Sequence, residues 1–405
     1  MALDLESLYT DLHRHPELSY QEHRTAKIVA NGLRSLGIDA IEGIGRTGVA
    51  GVLVNGDGPV VLLRADMDAL PVAEETGLPY ASAERGTDGD GHDVPVMHAC
   101  GHDVHVTCLL GAAEALAGSR SEWSGTVVFV FQPAEEFGTG ANEMIADGLY
   151  DRVPKPDIVL GQHVAPAPAG VVGVHAGPAF AATDDVRITL HGEGGHGSRP
   201  EATVDPVVMA AATVMRLQTI VSREVAGGET AVVTVGTMRA GTKSTIIPPH
   251  ATLGINIRTY DSDVRDRVIS AITRIASAEA AASGARRDPD IETFDSFPVV
   301  DNDEAATERV LGAFRAAFGS ERVIAPGPVT GSEDVGALAT AAGAPIVYWL
   351  LGGLDPQLFT KALANGTTDA EIPSNHSPFF APLMHPTLEV GVQALVVAAR
   401  EWLGA

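Results

Sequence analysis

The chain has 405 residues, 45% hydrophobic and 20% charged, long enough for two cores and too apolar for a disordered polypeptide. Its formal charge of −25 argues against nucleic acid and anionic bilayers as partners, because both would repel it at long range. MALDLESLYTDLHRHPELSY carries no apolar leader, no run of about 18 apolar residues appears, and Cys100 and Cys108 are the only cysteines. A cytoplasmic protein without a membrane span is expected.

In chain order, Leu5, Leu8 and Leu12, then Ile28, Leu33 and Leu36, recur at helical spacing around a break at HPEL, so two helices are expected, the second ending at Gly37. GVAGVLVN and PVVLLRADMDALP are short β-branched runs bounded by turn formers and read as strands. A helix over Val104 to Ala117 and strands in SGTVVFVFQP and DIVLGQH follow. Strands alternating with helices predict an α/β layer with a parallel or mixed sheet, whose chemistry gathers at the carboxyl ends of the strands.

Near residue 183 the texture changes. DDVRITLHG alternates polar and apolar residues, a helix runs from about Pro206 to Val225, AVVTVGTMRAG and ATLGINIRTY are strands, and Val264 to Ser283 is a second helix. That order suggests a small α+β domain of ferredoxin-like type. Apolar α/β texture resumes near Phe297, with a helix at 304 to 318, a strand in APIVYWLL and a closing helix from Pro386 to Leu403. The organisation expected is a catalytic domain in two parts, 1–182 and 293–405, with 183–292 inserted between them.

Four places hold residues fit for chemistry: Cys100 and His102 in HACGHD, Glu135 and Glu136 in QPAEE, His163 in LGQH, and His376 in SNHSPF. Singly, each reads as a structural histidine, a core thiol or a solvated acid. Together they fall at strand ends or in Gly/Pro-rich loops that an α/β sheet brings to one mouth, which favours a metal site. Thiolate and imidazole select Zn²⁺ or a neighbouring transition ion over Mg²⁺ or Ca²⁺. Five donors are too many for one tetrahedral zinc that keeps an open position, and suit two ions sharing a bridge. In AEE, one carboxylate can ligate while its neighbour serves as general base.

HPELSYQE, LRADMDALP, MHACGHDVH, FQPAEE, GEGGHGSRP and NHSPFF, in this order, resemble the dinuclear metallo-amidohydrolases that include aminoacylases, hippurate hydrolases and auxin-conjugate hydrolases, within the metallo-exopeptidase clan. HGEGGHGSRP, LQTIVSREV and AVVTVG look closest to bacterial N-acyl-amino-acid aminoacylases, including those acting on acyl-glutamines. The resemblance implies a metallo-exopeptidase-like catalytic domain, a mixed sheet flanked by helices, with an inserted lid and dimerisation domain. It also implies a small-molecule N-acyl-amino acid substrate, a homodimer, and two divalent ions per subunit, Zn²⁺ first, with Mn²⁺, Co²⁺ or Ni²⁺ as alternatives. The amide would be cleaved by a hydroxide bridging the two ions.

Carried onto this chain, the resemblance makes Cys100 the bridging ligand, with His102 and His163 on one ion and Glu136 and His376 on the other. Glu135 matches the catalytic base. Asp66 and Asp68 would share one face of a strand; more distant relatives have a ligand histidine where Asp66 stands, and Asp68 resembles the aspartate that orients a metal-bound imidazole. His196 matches the donor to the tetrahedral oxyanion, reaching a partner subunit. Arg258 matches the clamp on the substrate carboxylate. Glu333 and Asp334 match a motif that supports the site. Many relatives have Asn-Val-Ile-Pro where this chain has Thr245-Ile246-Ile247-Pro248, a departure in carboxylate or oxyanion recognition.

Three other functions compete. A dipeptidase or carboxypeptidase would use the same centre. Cys100 as a nucleophile would give an acyl-enzyme indifferent to chelators. A metal-binding or ligand-sensing protein would have no need for Glu135 as a base.

Overall fold

The computed structural model describes residues 3–404 and divides into two compact units. One comprises Phe180–Val300 with Val329–Glu333, and the other holds the rest of the described chain. The outer domain limits expected at residues 1 and 405 lie outside the described residues.

Among the described residues, the larger unit is built on an eight-stranded sheet in the order Asp39–Ile44, Gly48–Asn55, Gly125–Gln132, Val60–Asp66, Ile158–Pro168, Ile346–Leu354, Val172–Gly173, Val323–Ile324. The first two pairings are antiparallel, while Gly125–Gln132, Val60–Asp66, Ile158–Pro168 and Ile346–Leu354 run parallel to one another, so the sheet is mixed. Every residue of Gly125–Gln132 is buried, because both faces of this strand are covered and its sequence is accordingly a continuous apolar run. Phe129, Leu63, Leu109, Phe314, Trp349 and Leu395 are among the residues of that core. Parallel strands bring their carboxyl ends to one edge, and there Asp66 stands opposite Gln132.

Helices Leu5–Arg14, His23–Ser35, His102–Gly118, Glu304–Phe318 and Met384–Arg400 flank the sheet. Asp4 caps the first of them by accepting the Ser7 N–H. The helix His102–Gly118 is buried from His102 to Ala113 without a break, as expected of a helix apolar on all sides.

The smaller unit is a four-stranded antiparallel sheet in the order Ala231–Ala240, His250–Thr259, Ala182–His191, Asp290–Phe297. With helices Pro206–Leu217 and Ser262–Ala282, the chain order is strand, helix, strand, strand, helix, strand, the ferredoxin-like pattern. Alternation sends Ala251, Leu253, Ile255 and Ile257 into the core with Val186, Ile188 and Leu190. Asp205 and Asp261 cap the two helices. The fourth strand, Asp290–Phe297, carries the unit past residue 292.

Candidate metal centre

Cys100 and His102 flank Gly101, which caps the His102–Gly118 helix at φ 81°. A Cβ at Gly101 would stand 2.4 Å from Val164 Cγ1, so both the left-handed backbone and the close approach of the strand Ile158–Pro168 require glycine here. The loop thus delivers a thiol and the first side chain of a helix to one point. His163 comes from inside the strand Ile158–Pro168 rather than from beyond its end. Glu135 and Glu136 follow the strand Gly125–Gln132 in a turn entered through Ala134 at φ 48°. His376 sits in a loop at φ 68°. The strand Val60–Asp66 ends at Asp66, so Asp68 lies in the following loop and not on that strand.

The donors converge. Cys100, His102 and His163 have ligand atoms within 4.8 Å of one another, and so do Cys100, Glu136 and His376, and His102, Glu135 and Glu136. Cys100 Sγ is 3.5 Å from His163 Nε2. His163 Nδ1 is 2.8 Å from the Val164 carbonyl oxygen, which can only accept, so Nδ1 carries the proton and Nε2 presents its lone pair toward the thiol. His376 Nε2 is 3.4 Å from Glu136 Oε2.

Orphaned polar atoms test whether cations fit. His102 is fully buried, yet neither ring nitrogen has a hydrogen bond among the described residues, and Glu136 Oε1 is likewise unpartnered. The nearest group to His102 Nδ1 is Asp68 Oδ1 at 3.3 Å; Asp66, Glu135 and Glu136 oxygens stand 3.7 to 3.9 Å from Nε2. Buried polar atoms without partners are costly, and these point into a cluster of acids. Burial disfavours charge on His102, but Asp66 and Asp68 outweigh it and raise the imidazole to about 10. Burial pushes Glu136 up to about 8; His102 opposes this, and Asp68 and Asp66 add to it. Four carboxylates thus crowd one buried imidazole, and divalent cations on thiolate, imidazole and carboxylate donors would balance their charge.

A second layer fixes these groups. Asp68 accepts the Glu135 and Glu136 backbone N–H groups at 3.1 and 3.0 Å and the Ser19 hydroxyl at 2.6 Å. Glu22 accepts the N–H of Ala134 at 2.9 Å and the Thr47 hydroxyl; burial, with the Asp68 carboxylate nearby, raises it to about 7. Asp66 accepts from Arg64 at 2.5 Å and from His105 Nδ1, while His105 Nε2 takes the Val164 N–H at 2.8 Å. Arg64 is buried and also reaches Gln132 and Asp334. Glu22 and Arg64 did not stand out in the sequence. His105 is the last residue of the MHACGHDVH motif.

His196 and Arg258 belong to the smaller unit, as does Glu333; Asp334 belongs to the larger. His196 is exposed and its Nδ1 takes bonds from the Ser198 N–H and hydroxyl. Its strand partner is Ile246, and Gly197 donates to the Thr245 carbonyl oxygen, so the Thr245-Ile246 backbone supports the His196 loop. Arg258 donates to Asn256, Thr330 and Ser332, and among the described residues no carboxylate pairs with it.

A family model described as Peptidase family M20/M25/M40 matches residues 62–359. The chain belongs to this family. It is 38% identical over 325 residues to the N-acetyl-L-cysteine deacetylase of Bacillus subtilis, covering 80% of this chain and 74% of that protein. A second relative is thermostable carboxypeptidase 2 of Saccharolobus solfataricus, 37% identical over 346 residues and 84% of each chain. In three dimensions the chain resembles a Bacillus subtilis dinuclear metal binding peptidase from the M20 family, with 30% identity, 98% of each chain covered and a TM-score of 0.76.

Proposed function

We propose that this M20 protein hydrolyses the amide bond of N-acyl-amino acids, releasing a carboxylate and a free amino acid, at a centre of two divalent cations. The observation that carries the reading is the convergence of Cys100, His102, Glu136, His163 and His376, with Glu135 beside Glu136, around the buried and unpartnered His102 ring nitrogens and Glu136 Oε1. Cys100 would be shared between the ions, His102 and His163 would hold one, and Glu136 and His376 the other. Ions so held would supply Lewis acidity toward a carbonyl oxygen and toward water, Zn²⁺ being the first choice for these donors.

The chain's own groups do the rest. Glu135 accepts a proton from the attacking water as the C–O bond forms, and delivers it to the amine nitrogen as the C–N bond breaks. Asp68 orients the His102 ring and fixes the Glu135–Glu136 turn together. In the smaller unit, His196 donates to the tetrahedral oxyanion, and Arg258, which no carboxylate neutralises among the described residues, takes the substrate carboxylate. The reading extends to a homodimer. Val208, Met215, Val232 and Met238 are exposed apolar side chains on one helix and on the edge strand of the smaller unit, surface that a second copy would cover. A reducing cytoplasm suits Cys100 and Cys108 in thiol form.

The test is amine release from N-acetyl, N-benzoyl and longer-chain acyl amino acids, with dipeptides alongside, before and after chelation. Chelation should abolish turnover, and Zn²⁺, Mn²⁺ or Co²⁺ should restore it; turnover indifferent to chelators would defeat the reading. The Saccharolobus relative favours a second reading, carboxypeptidase action by the same centre, and release from peptides in preference to acyl amino acids would select it.

A further inference from the structure

Asn375 lies outside the donor set yet touches three of the segments that carry it. Its amide nitrogen is 3.2 Å from the Cys100 carbonyl oxygen, 3.2 Å from the Val164 carbonyl oxygen and 3.8 Å from Cys100 Sγ. Carbonyl oxygens only accept, so it is the nitrogen of this amide, with its two hydrogens, that faces the cluster. Val164 O is the same atom that takes the proton of His163 Nδ1, and so keeps His163 Nε2 open. On its other side Asn375 is joined to His376, whose N–H donates to Ala99 O at 2.8 Å. His376 holds a left-handed backbone at φ 68°, unusual for a residue with a Cβ and stable only where its surroundings fix it.

We propose that Asn375 is a positioning residue for the metal centre: its amide ties together the loop of Cys100, the strand of His163 and the loop of His376, and directs an N–H toward Cys100 Sγ. The proposal rests on the reading of these residues as metal ligands. A thiolate shared between cations keeps excess negative charge, and an N–H aimed at it makes a charge-assisted bond. Two amide hydrogens serve three acceptors, so they are divided among the sulfur and the two carbonyls. Loss of the amide would free the Cys100 backbone and leave the sulfur richer in electrons. Groups in this position typically set metal affinity by about ten- to a hundredfold.

The experiment titrates the stripped full-length protein with Co²⁺, comparing the parent with Asn375→Leu, similar in volume but without a donor, and with Asn375→Ser, too short to reach. Co²⁺ affinity and the thiolate-to-cobalt charge-transfer band are read together, and Cys100→Ser identifies the band. The expected result is about ten- to hundredfold weaker binding in both variants, with the band moved to longer wavelength and the stripped proteins melting close to the stripped parent. A parent-like affinity and band position in a folded variant would overturn the role of Asn375. Equal losses of melting temperature with and without Co²⁺, affinity unchanged, would overturn it as well, by making the residue a general structural one. A parent that shows no such band would defeat the metal reading itself, so the two failures are distinct. If Asn375→Leu fails to fold, Asn375→Ser decides.

Discussion

His13 offers a quantitative test of the layer beneath the centre. Its ring is buried, with Nδ1 2.6 Å from Asp103 and Nε2 3.1 Å from Glu74, and it links the Leu5–Arg14 helix to the first turn of the helix that begins at His102. Burial opposes its charge, but Asp103 and Glu74 prevail and raise His13 to about 10. Against an unfolded value near 6.5, the folded state holds a proton that the unfolded chain has released throughout the interval between the two. Stability from this group is therefore complete below about pH 6.5 and declines as pH rises, by about 1.4 kcal/mol per pH unit, until His13 itself titrates near 10. His13→Gln removes the charge and leaves two buried carboxylates facing an amide, at a cost of about 3–5 kcal/mol near pH 6.5. The gap between parent and variant should then narrow by about 2.5–3 kcal/mol from pH 7 to pH 9. Urea unfolding of the chelated proteins would measure it, and Trp123, Trp349 and Trp402 all lie in the larger unit, so tryptophan fluorescence reports that unit without the smaller one. A gap that stays constant over these two pH units would refute a charged His13.

Other expectations concern the reacting groups. Glu135→Gln should keep fold and metal content, read by elemental analysis, and lose about a hundred- to ten-thousandfold in kcat; an unchanged kcat removes Glu135 from the reaction. His196→Ala should lose about a hundred- to a thousandfold, and mixed with Glu135→Gln subunits it should regain partial activity if His196 serves the other subunit; no recovery would mean that it serves its own subunit or none. Gly101→Ala places a methyl 2.4 Å from Val164 Cγ1 at φ 81°, at a cost of at least about 1–3 kcal/mol, and should lower both the melting temperature and the metal content of the purified protein; parent values for both would contradict the packing described.

The architecture was legible where burial dictates residue type. Gly125–Gln132 could only be a strand covered on both faces, and the alternation from Ala251 to Ile257 could only be one covered on a single face. The residues that converge were legible as a set and not singly, because a thiol, imidazoles and acids falling together leave fewer bland explanations than any one of them does. Helix Pro356–Asn365 was not anticipated, although Asp355 as its cap, Pro356 in its first turn and Gly366 beyond its end mark its limits; Ala362 is its one buried residue among the described residues. Arg64 was hidden differently. It stands within the apolar run PVVLLRADMDALP, and a charge there is tolerable only with Asp66 and Asp334 on either side, an environment assembled from residues 270 positions apart.

The turn that carries Glu135 and Glu136 explains why such partners escape a reading of motifs. Three successive backbone N–H groups, those of Ala134, Glu135 and Glu136, point to one side, and two carboxylates receive them: Glu22 the first, Asp68 the other two. The left-handed Ala134 at φ 48° costs energy that these bonds offset, and the result is that two adjacent glutamates both come within 3.9 Å of His102 Nε2, while Glu136 also faces His376. An extended chain would send adjacent side chains to opposite faces of a sheet, where they could not share a cluster. The division of labour proposed for Glu135 and Glu136 would therefore be a property of the turn. Asp68 lies 67 and 68 residues, and Glu22 112 residues, earlier than the groups they hold, and no local spacing records that arrangement.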